Sequence, residues 1–272
     1  MTTLTLLYGG LVGLCLGLTG GGGATIAIPL LVYGMGISPR DAVGISLAVV
    51  GTTAFIGFLM RWYLGEVAVR IGLLFALTSM MATPLGTLIG QKIPEVYLLL
   101  AFAGLVIFVA MRLWRKSKPT SPSTPVDQTT SHASKHAATT SHTIPLNKIE
   151  IILLLVTGVV TGLLSGLFGV GGGFIIVPAL VLIWRMPMRL AIGTSLLVIS
   201  CISVVGVVSN IWVGRNMDPM VLAGFSLGGA FGMIIGIWIS RFLSGPALQK
   251  LFAVALLAIA GYIIIRHAEH LL

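Results

Sequence analysis

"FGVGGGFIIVP", residues 168–178, places glycine at four of five consecutive positions between two apolar stretches. The same device stands near the start of the chain as "TGGGGATIAIP", residues 19–29. In a soluble enzyme such a run reads as a phosphate-cradling loop. In a bilayer it reads as an interrupted helix. The sequence around the two runs decides between these readings.

Apolar residues fill 57% of the 272 positions and charged residues 8%, with a mean hydropathy of +1.08. A soluble domain carries about 25% charge. The seven acids, Asp41, Glu66, Glu95, Asp127, Glu150, Asp218 and Glu269, all fall in or near the ends of expected loops and tails. This is the pattern of an all-α integral membrane protein. The net charge of +9 does not point to nucleic acid here, because basic residues gathered in loops orient helices and meet anionic lipid headgroups. Cys15 and Cys201 stand alone inside apolar segments and read as packing residues. No Lys or Arg precedes Arg40, so the N-terminus lacks the basic region of a signal peptide and reads as a first membrane segment.

Five apolar segments are expected before residue 115, near 4–18, 24–34, 41–61, 67–90 and 95–114. The first two are short of the roughly 20 residues that cross the hydrocarbon, and a glycine run joins them. Residues 115–148, rich in Ser, Thr, Pro, His and Lys, cannot bury enough apolar surface to order themselves and read as a disordered polar linker. His132, His136 and His142 lie there with nothing to fix them as metal ligands, and no cofactor is expected. The pattern then restarts near 150–167, 174–184, 191–213, 219–240 and 246–265.

The restart extends to single residues. A shift of 149 positions lays Gly20, Gly22, Gly23 and Pro29 on Gly169, Gly171, Gly172 and Pro178, and "GISLAVV" (44–50) on "GTSLLVI" (193–199). Residues 1–114 and 149–272 therefore read as two homologous repeats of about four to five membrane segments each, with broken or re-entrant helices at the glycine runs. Arg112, Arg115, Lys116, Lys118, Lys135 and Lys148 place the linker in the cytoplasm. If both short segments of a half pair or cross, the number of crossings is odd and the repeats are inverted; a single broken helix makes them parallel. The spread of basic residues leans toward inversion.

The soluble reading of the glycine runs fails in detail. Neither is followed by the GK[ST] of a phosphate loop, and the acid that a dinucleotide fold requires, met by Asp41 in the first half, is Leu190 in the second. Pairs such as Gly9/Gly13, Gly86/Gly90 and Gly232/Gly236 suit close helix packing. Four glycines in five exceed that need and destabilise a helix by about 1 kcal/mol each. A helix that starts inside the bilayer aims free N–H groups and a positive dipole end at the interior, where they hold anions. Interrupted segments at matching places in two repeats mark a transporter site.

The duplicated "TGGGGATIAIPLL" and "FGVGGGFIIVPAL", the basic loops at Arg40 and Arg189, the "A-x-G-x-S-L" stretches, and the late "PLGTLIG" and "FGMIIG" resemble the sulfite exporter TauE/SafE family, also called the toluene sulfonate uptake permease family. The resemblance covers everything but the linker. It implies a multi-pass protein of the cell inner membrane that moves sulfur-containing or organic anions such as sulfite and sulfonates. The long linker, and Thr19 where the second half has Phe168, depart from twofold equivalence.

The substrate-binding candidates are Thr19, Gly20, Gly21, Gly22, Gly23 and Ser46 in the first half, with Gly169, Gly171, Gly172, Gly173, Thr194 and Ser195 in the second. Arg40, Arg61, Arg189 and Asn210 are candidate gate or entrance residues. Hydroxyls in membrane helices also bond their own i−4 carbonyl, and basic residues near helix ends also serve as interface anchors. No Asp, Glu or His falls at an expected membrane centre to mark a proton relay. The expectation is a secondary transporter, an exporter driven by the membrane potential, with an anion channel as the alternative and no enzymatic dyad in view. The expected partners are a small anion and the lipid bilayer, with no nucleic acid; the oligomeric state is left open.

Overall fold

The computed structural model describes residues 2–90, 148–168, 173–212 and 218–268, with scattered positions between 93 and 112. Among the described residues every regular element is a helix. The linker, apart from Lys148, lies outside them, as does most of the segment expected at 95–114.

Helix α1 (Thr2–Thr19) ends at the first glycine run. Helix α2 (Gly22–Pro29) begins two residues later and continues as a π-helical turn, Leu30–Gly34. Pro29 supplies no N–H to the ladder, and the winding changes where it stands. The returning arm lies along α1. A Cβ on Gly23 would press on the Val12 carbonyl and Leu16, and one on Gly34 would meet the Tyr8 ring. The two short segments of the first half thus form an antiparallel hairpin.

Helix α3 (Pro39–Tyr63) opens on an N-cap: the Ser38 hydroxyl accepts from the Asp41 N–H, and Pro39 takes the first turn. Helix α4 (Val69–Gly90) follows. After the linker come α5 (Lys148–Phe168), α6 (Gly173–Leu182), α7 (Met188–Trp212), α8 (Pro219–Ser240) and α9 (Gly245–Ala268). The Asp218 carboxylate accepts from the Met220 N–H to cap α8. Four stretches, Asp41–Tyr63, Val69–Gly86, Met188–Val208 and Pro219–Ser240, are long and apolar enough to cross a membrane. They match the segments expected at 41–61, 67–90, 191–213 and 219–240.

Glycine brings backbones together at two interfaces. Between α1 and α8, Gly9 packs on the Phe225 carbonyl, Gly13 on that of Gly229, and Gly232 on that of Gly10. Between α4 and α5, Gly86 packs on the Leu163 carbonyl and Gly162 on that of Ser79. A methyl group at any of these positions would enter the partner backbone, which is the close approach small residues allow in lipid. The Ser79 hydroxyl also donates across the second interface to the Gly158 carbonyl, at 3.0 Å.

These contacts fix directions. α1 and α8 run parallel, with Gly9, Gly13 and Gly17 opposite Phe225, Gly229 and Met233. α4 and α5 run parallel as well, Gly158 lying by Phe75 and Thr78 and Leu163 by Gly86. α3 and α7 run antiparallel: Leu47 meets Gly206, Gly51 meets Ser203, and Gly57 meets Leu196. The core holds their inner faces, including Val49, Val50, Ile192, Leu196, Val198 and Ile199.

Candidate functional site

The first glycine run is a tight turn built on Leu16, whose carbonyl accepts from the Gly20 N–H at 2.7 Å. Gly20 takes a left-handed φ of +73°, the region that only glycine enters freely. A side chain there would also strike Ile192 and the Ser195 hydroxyl. Gly20 is therefore fixed twice, by its backbone and by its neighbours.

Helix α2 starts inside the protein, and the first N–H groups of a helix have no partner within it. Thr19 meets one of them: its hydroxyl donates to the Cys15 carbonyl at 2.6 Å and accepts from the Gly22 N–H at 3.0 Å. Phe168 could not perform this capping, so the departure noted between Thr19 and Phe168 has a physical consequence. The Thr25 hydroxyl closes the same turn on the Gly22 carbonyl at 2.6 Å. Gly20, Gly21, Gly22 and Gly23 are all buried.

Gly169, Gly171 and Gly172 lie outside the described residues. Gly173, the first residue of α6, is described, and it lies against the first run. A Cβ on Gly173 would stand 2.9 Å from the Gly21 Cα, 3.1 Å from the Gly21 carbonyl oxygen and 2.7 Å from the Ile199 side chain. The starts of α2 and α6 therefore meet near the midpoint of α7.

Ser195 is buried and its hydroxyl lies 2.8 Å from the Gly20 carbonyl and 2.7 Å from that of Ile192. It ties α7 to the first glycine turn. Ser46, at the matching place in α3, is also buried. Thr194 has other work: it donates to the Leu190 carbonyl at 2.7 Å and accepts from the Ala68 N–H at 3.0 Å, so it holds the start of α4. The neighbouring Gly193 lets the Glu66 backbone approach.

The candidate gate residues separate. Arg61, at the end of α3, is fully buried. Its Nη1 pairs with Glu66 Oε2 at 2.7 Å, and its Nη2 donates to the Gly17 carbonyl and the Ser240 hydroxyl, each at 3.0 Å. Gly17 belongs to the last turn of α1, whose carbonyls lack partners within the helix, so Arg61 caps α1 from the interior. Arg189 donates through Nη2 to the carbonyls of Arg241 and Leu243, both at 3.1 Å, at the C-terminal end of α8, where a cation suits the helix dipole. Arg40 occupies the first turn of α3 and Asn210 the last turn of α7; their side chains lie outside the described residues.

Two features escaped sequence reasoning. One is the Arg61–Glu66 pair, five residues apart around a helix end. The other is the pressing of Gly173 on Gly21, a contact across 152 positions that periodicity cannot show. Aromatic side chains mark the level of the Arg61 end. Phe58 and Trp62 stack at 5.8 Å, and Trp238 meets Phe242 edge-on at 5.1 Å, as in the belts at membrane–water interfaces.

The family model described as "Sulfite exporter TauE/SafE" matches residues 5–263. The chain belongs to the TauE/SafE family. A "Probable membrane transporter protein" of Xylella fastidiosa (strain 9a5c) is 33% identical to this TauE/SafE chain over 268 residues, which are 97% of this chain and 95% of the relative. Two Bacillus subtilis (strain 168) proteins of similar description are more distant. YunE is 24% identical over 265 residues, 95% of this chain and 94% of the relative. YjnA is 25% identical over 265 residues, 93% of this chain and 96% of the relative. No solved structure matches the chain significantly. With four apolar spans among the described residues, this TauE/SafE member is a membrane protein of a transporter family.

Proposed function

We propose that the chain is a secondary transporter, working as an exporter, that carries small sulfur-containing or organic anions such as sulfite and sulfonates across the cell inner membrane. The anion is held where the two glycine runs meet. The observation that carries this reading is the contact of Gly173 with Gly21, which brings two helix starts to one buried place. Each start contributes N–H groups and a positive dipole end, and together they attract an anion without a cationic side chain. Ser195 reaches this place from α7 through the Gly20 carbonyl, and Ser46 is the residue that the sequence repeat matches to it on α3.

The two halves are inverted repeats on this reading. Support comes from the antiparallel run of α3 and α7, which are equivalent by sequence: equivalent helices run in opposite senses only when the axis relating them lies in the membrane plane. The two glycine-packed interfaces, α1 on α8 and α5 on α4, are the same pairing with the halves exchanged. Lys148 starts α5 at the end of the bundle where α4 starts and α3 finishes. Arg185, Arg189, Arg241 and Lys250 lie at that end too, so the positive-inside rule puts it in the cytoplasm together with the linker.

The junction residues are buried, so the described state is closed around them. A closed junction favours a carrier that alternates its access over an open anion channel. An anion leaving an inside-negative cell gains ~2.3 kcal/mol per charge per 100 mV, enough to drive export without a coupled proton. Flux of labelled sulfite from proteoliposomes tests this. Saturable efflux that rises with an imposed potential supports the proposal; efflux set by a pH gradient and indifferent to voltage contradicts it.

A further inference from the structure

We infer that Arg61 is a binding residue for the transported anion at the cytoplasmic end of the pathway, and that Glu66 is its resident competitor, occupying the anion's place while that end is closed. The inference rests on the transport reading above and names the group that meets the substrate's charge.

A guanidinium offers five N–H donors in a fork that matches two oxygens of a planar or tetrahedral oxyanion. Arg61 uses that fork incompletely. Nη1 has one carboxylate oxygen, Nη2 has the Gly17 carbonyl and the Ser240 hydroxyl, and Nε, although buried, has no partner. A buried donor left open is costly; the Nε–H points to the Nη2 side of the guanidinium, and a two-pronged oxyanion that took the place of the Ser240 hydroxyl on Nη2 would fill it, with Nη1 freed from Glu66 for a further oxygen. Glu66 meets the fork with a single oxygen.

The surroundings favour exchange of the carboxylate for a free anion. Arg185, Arg189, Arg241 and Lys250 stand at the same end of the bundle, while the one carboxylate on Arg61 is Glu66, held through a single contact. The Glu66 side chain is 22% exposed and that of Arg61 1%, which sets Glu66 on the water side and Arg61 beneath it. Glu66 sits on a loop, directly after Gly65, whose φ is +71° and whose Cβ position is open space. On the far side of Arg61 lies the Gly17 carbonyl, in the turn of α1 that leads into the glycine run.

The arrangement does not recur in sequence at the positions that the repeat matches to it. The shift that overlays the halves lays Asn210 on Arg61 and Arg215 on Glu66. The second half has neither the buried cation nor the competing acid at its matching position, so the two mouths recognise charge differently.

The test uses the full chain in proteoliposomes, with Cys15→Ala and Cys201→Ala removing the native thiols and Ser240→Cys as reporter beneath the pair. Labelling by a membrane-impermeant maleimide is followed from the Lys148 face, with and without sodium methanesulfonate at matched ionic strength. The parent is expected to label slowly, and methanesulfonate to accelerate it. Glu66→Gln, a change at a partly exposed loop residue that keeps the side-chain volume, is expected to label about tenfold faster without anion and to gain little more from it. Arg61→Lys keeps the charge but loses the fork and is expected to show a weakened anion effect. Equal labelling of the parent and Glu66→Gln, or an anion effect that survives in Arg61→Gln, overturns the inference. Efflux is measured on the same vesicles. Absence of flux in the parent would overturn the transport reading, while the anion effect on labelling still judges Arg61.

Discussion

The Ser195 hydroxyl lies 2.8 Å from the Gly20 carbonyl, so a helix of the second half is tied to the glycine turn of the first. The bond is buried and links the first glycine turn to the most buried of the four long apolar helices. Ser195→Ala should cost about 1 kcal/mol in stability, the net worth of one such bond. Its effect on transport should be larger, seen as a raised KM for sulfite, because the turn loses its register. Thermal unfolding in detergent and flux kinetics on the same preparation check both. Ser46→Ala should raise KM comparably, since Ser46 holds the matching place on α3.

Gly20 and Gly36 both take left-handed conformations, with φ of +73° and +68°. They differ in surroundings: Gly36 faces open space, whereas Gly20 presses on Ile192 and Ser195. Gly36→Ala should therefore cost only the conformational penalty of about 1–2 kcal/mol. Gly20→Ala should cost clearly more and abolish transport. Unfolding midpoints of the two variants, measured side by side, separate backbone strain from packing.

Gly13 packs on the Gly229 backbone, and Gly245 has nothing near its Cβ position. Gly13→Leu should separate α1 from α8 and leave little folded protein in the membrane. Gly245→Ala should stay within about 0.5 kcal/mol of the parent, as surface substitutions do. Size-exclusion profiles of fluorescently tagged variants report the outcome directly.

Arg61 contributes to stability apart from any role in transport. Removing one partner of a buried pair costs about 3–5 kcal/mol, so Arg61→Ala should lower the unfolding temperature sharply. Ser240→Ala, which takes away one of its acceptors, should cost about 1 kcal/mol. Thermal unfolding of the two variants ranks them.

A reporter inserted in the linker, between residues 120 and 140, checks orientation. The positive-inside rule predicts a fluorescent green fluorescent protein fusion and an inactive alkaline phosphatase fusion.

The four long spans were legible in the sequence because apolar runs of about 20 residues have few alternatives. The packing glycines were legible for a similar reason, since their four-residue spacing sets them on one helix face. Gly9, Gly13, Gly86, Gly232 and Gly236 all stand at backbone approaches. The hairpin of α1 and α2 was open in the sequence, because short segments leave crossing and folding back equally allowed; the approach of Gly34 to Tyr8 decides it. Thr194 shows the limit of reading by position. It shares its neighbourhood with Ser195, yet its hydroxyl serves the Ala68 amide and the local carbonyl. Arg61 could be marked by its alignment with Asn210, but its burial depends on Gly17, Ser240 and Glu66, which come from three different elements.

On the proposed mechanism, the anion is carried where the two glycine runs meet. Sulfite counterflow in proteoliposomes tests it most directly, comparing the parent with Gly173→Leu, which would push α6 away from Gly21. A transient accumulation of labelled sulfite is expected in the parent and its loss in Gly173→Leu, with both proteins inserted to the same level. Counterflow of parental size in a fully inserted Gly173→Leu would contradict it.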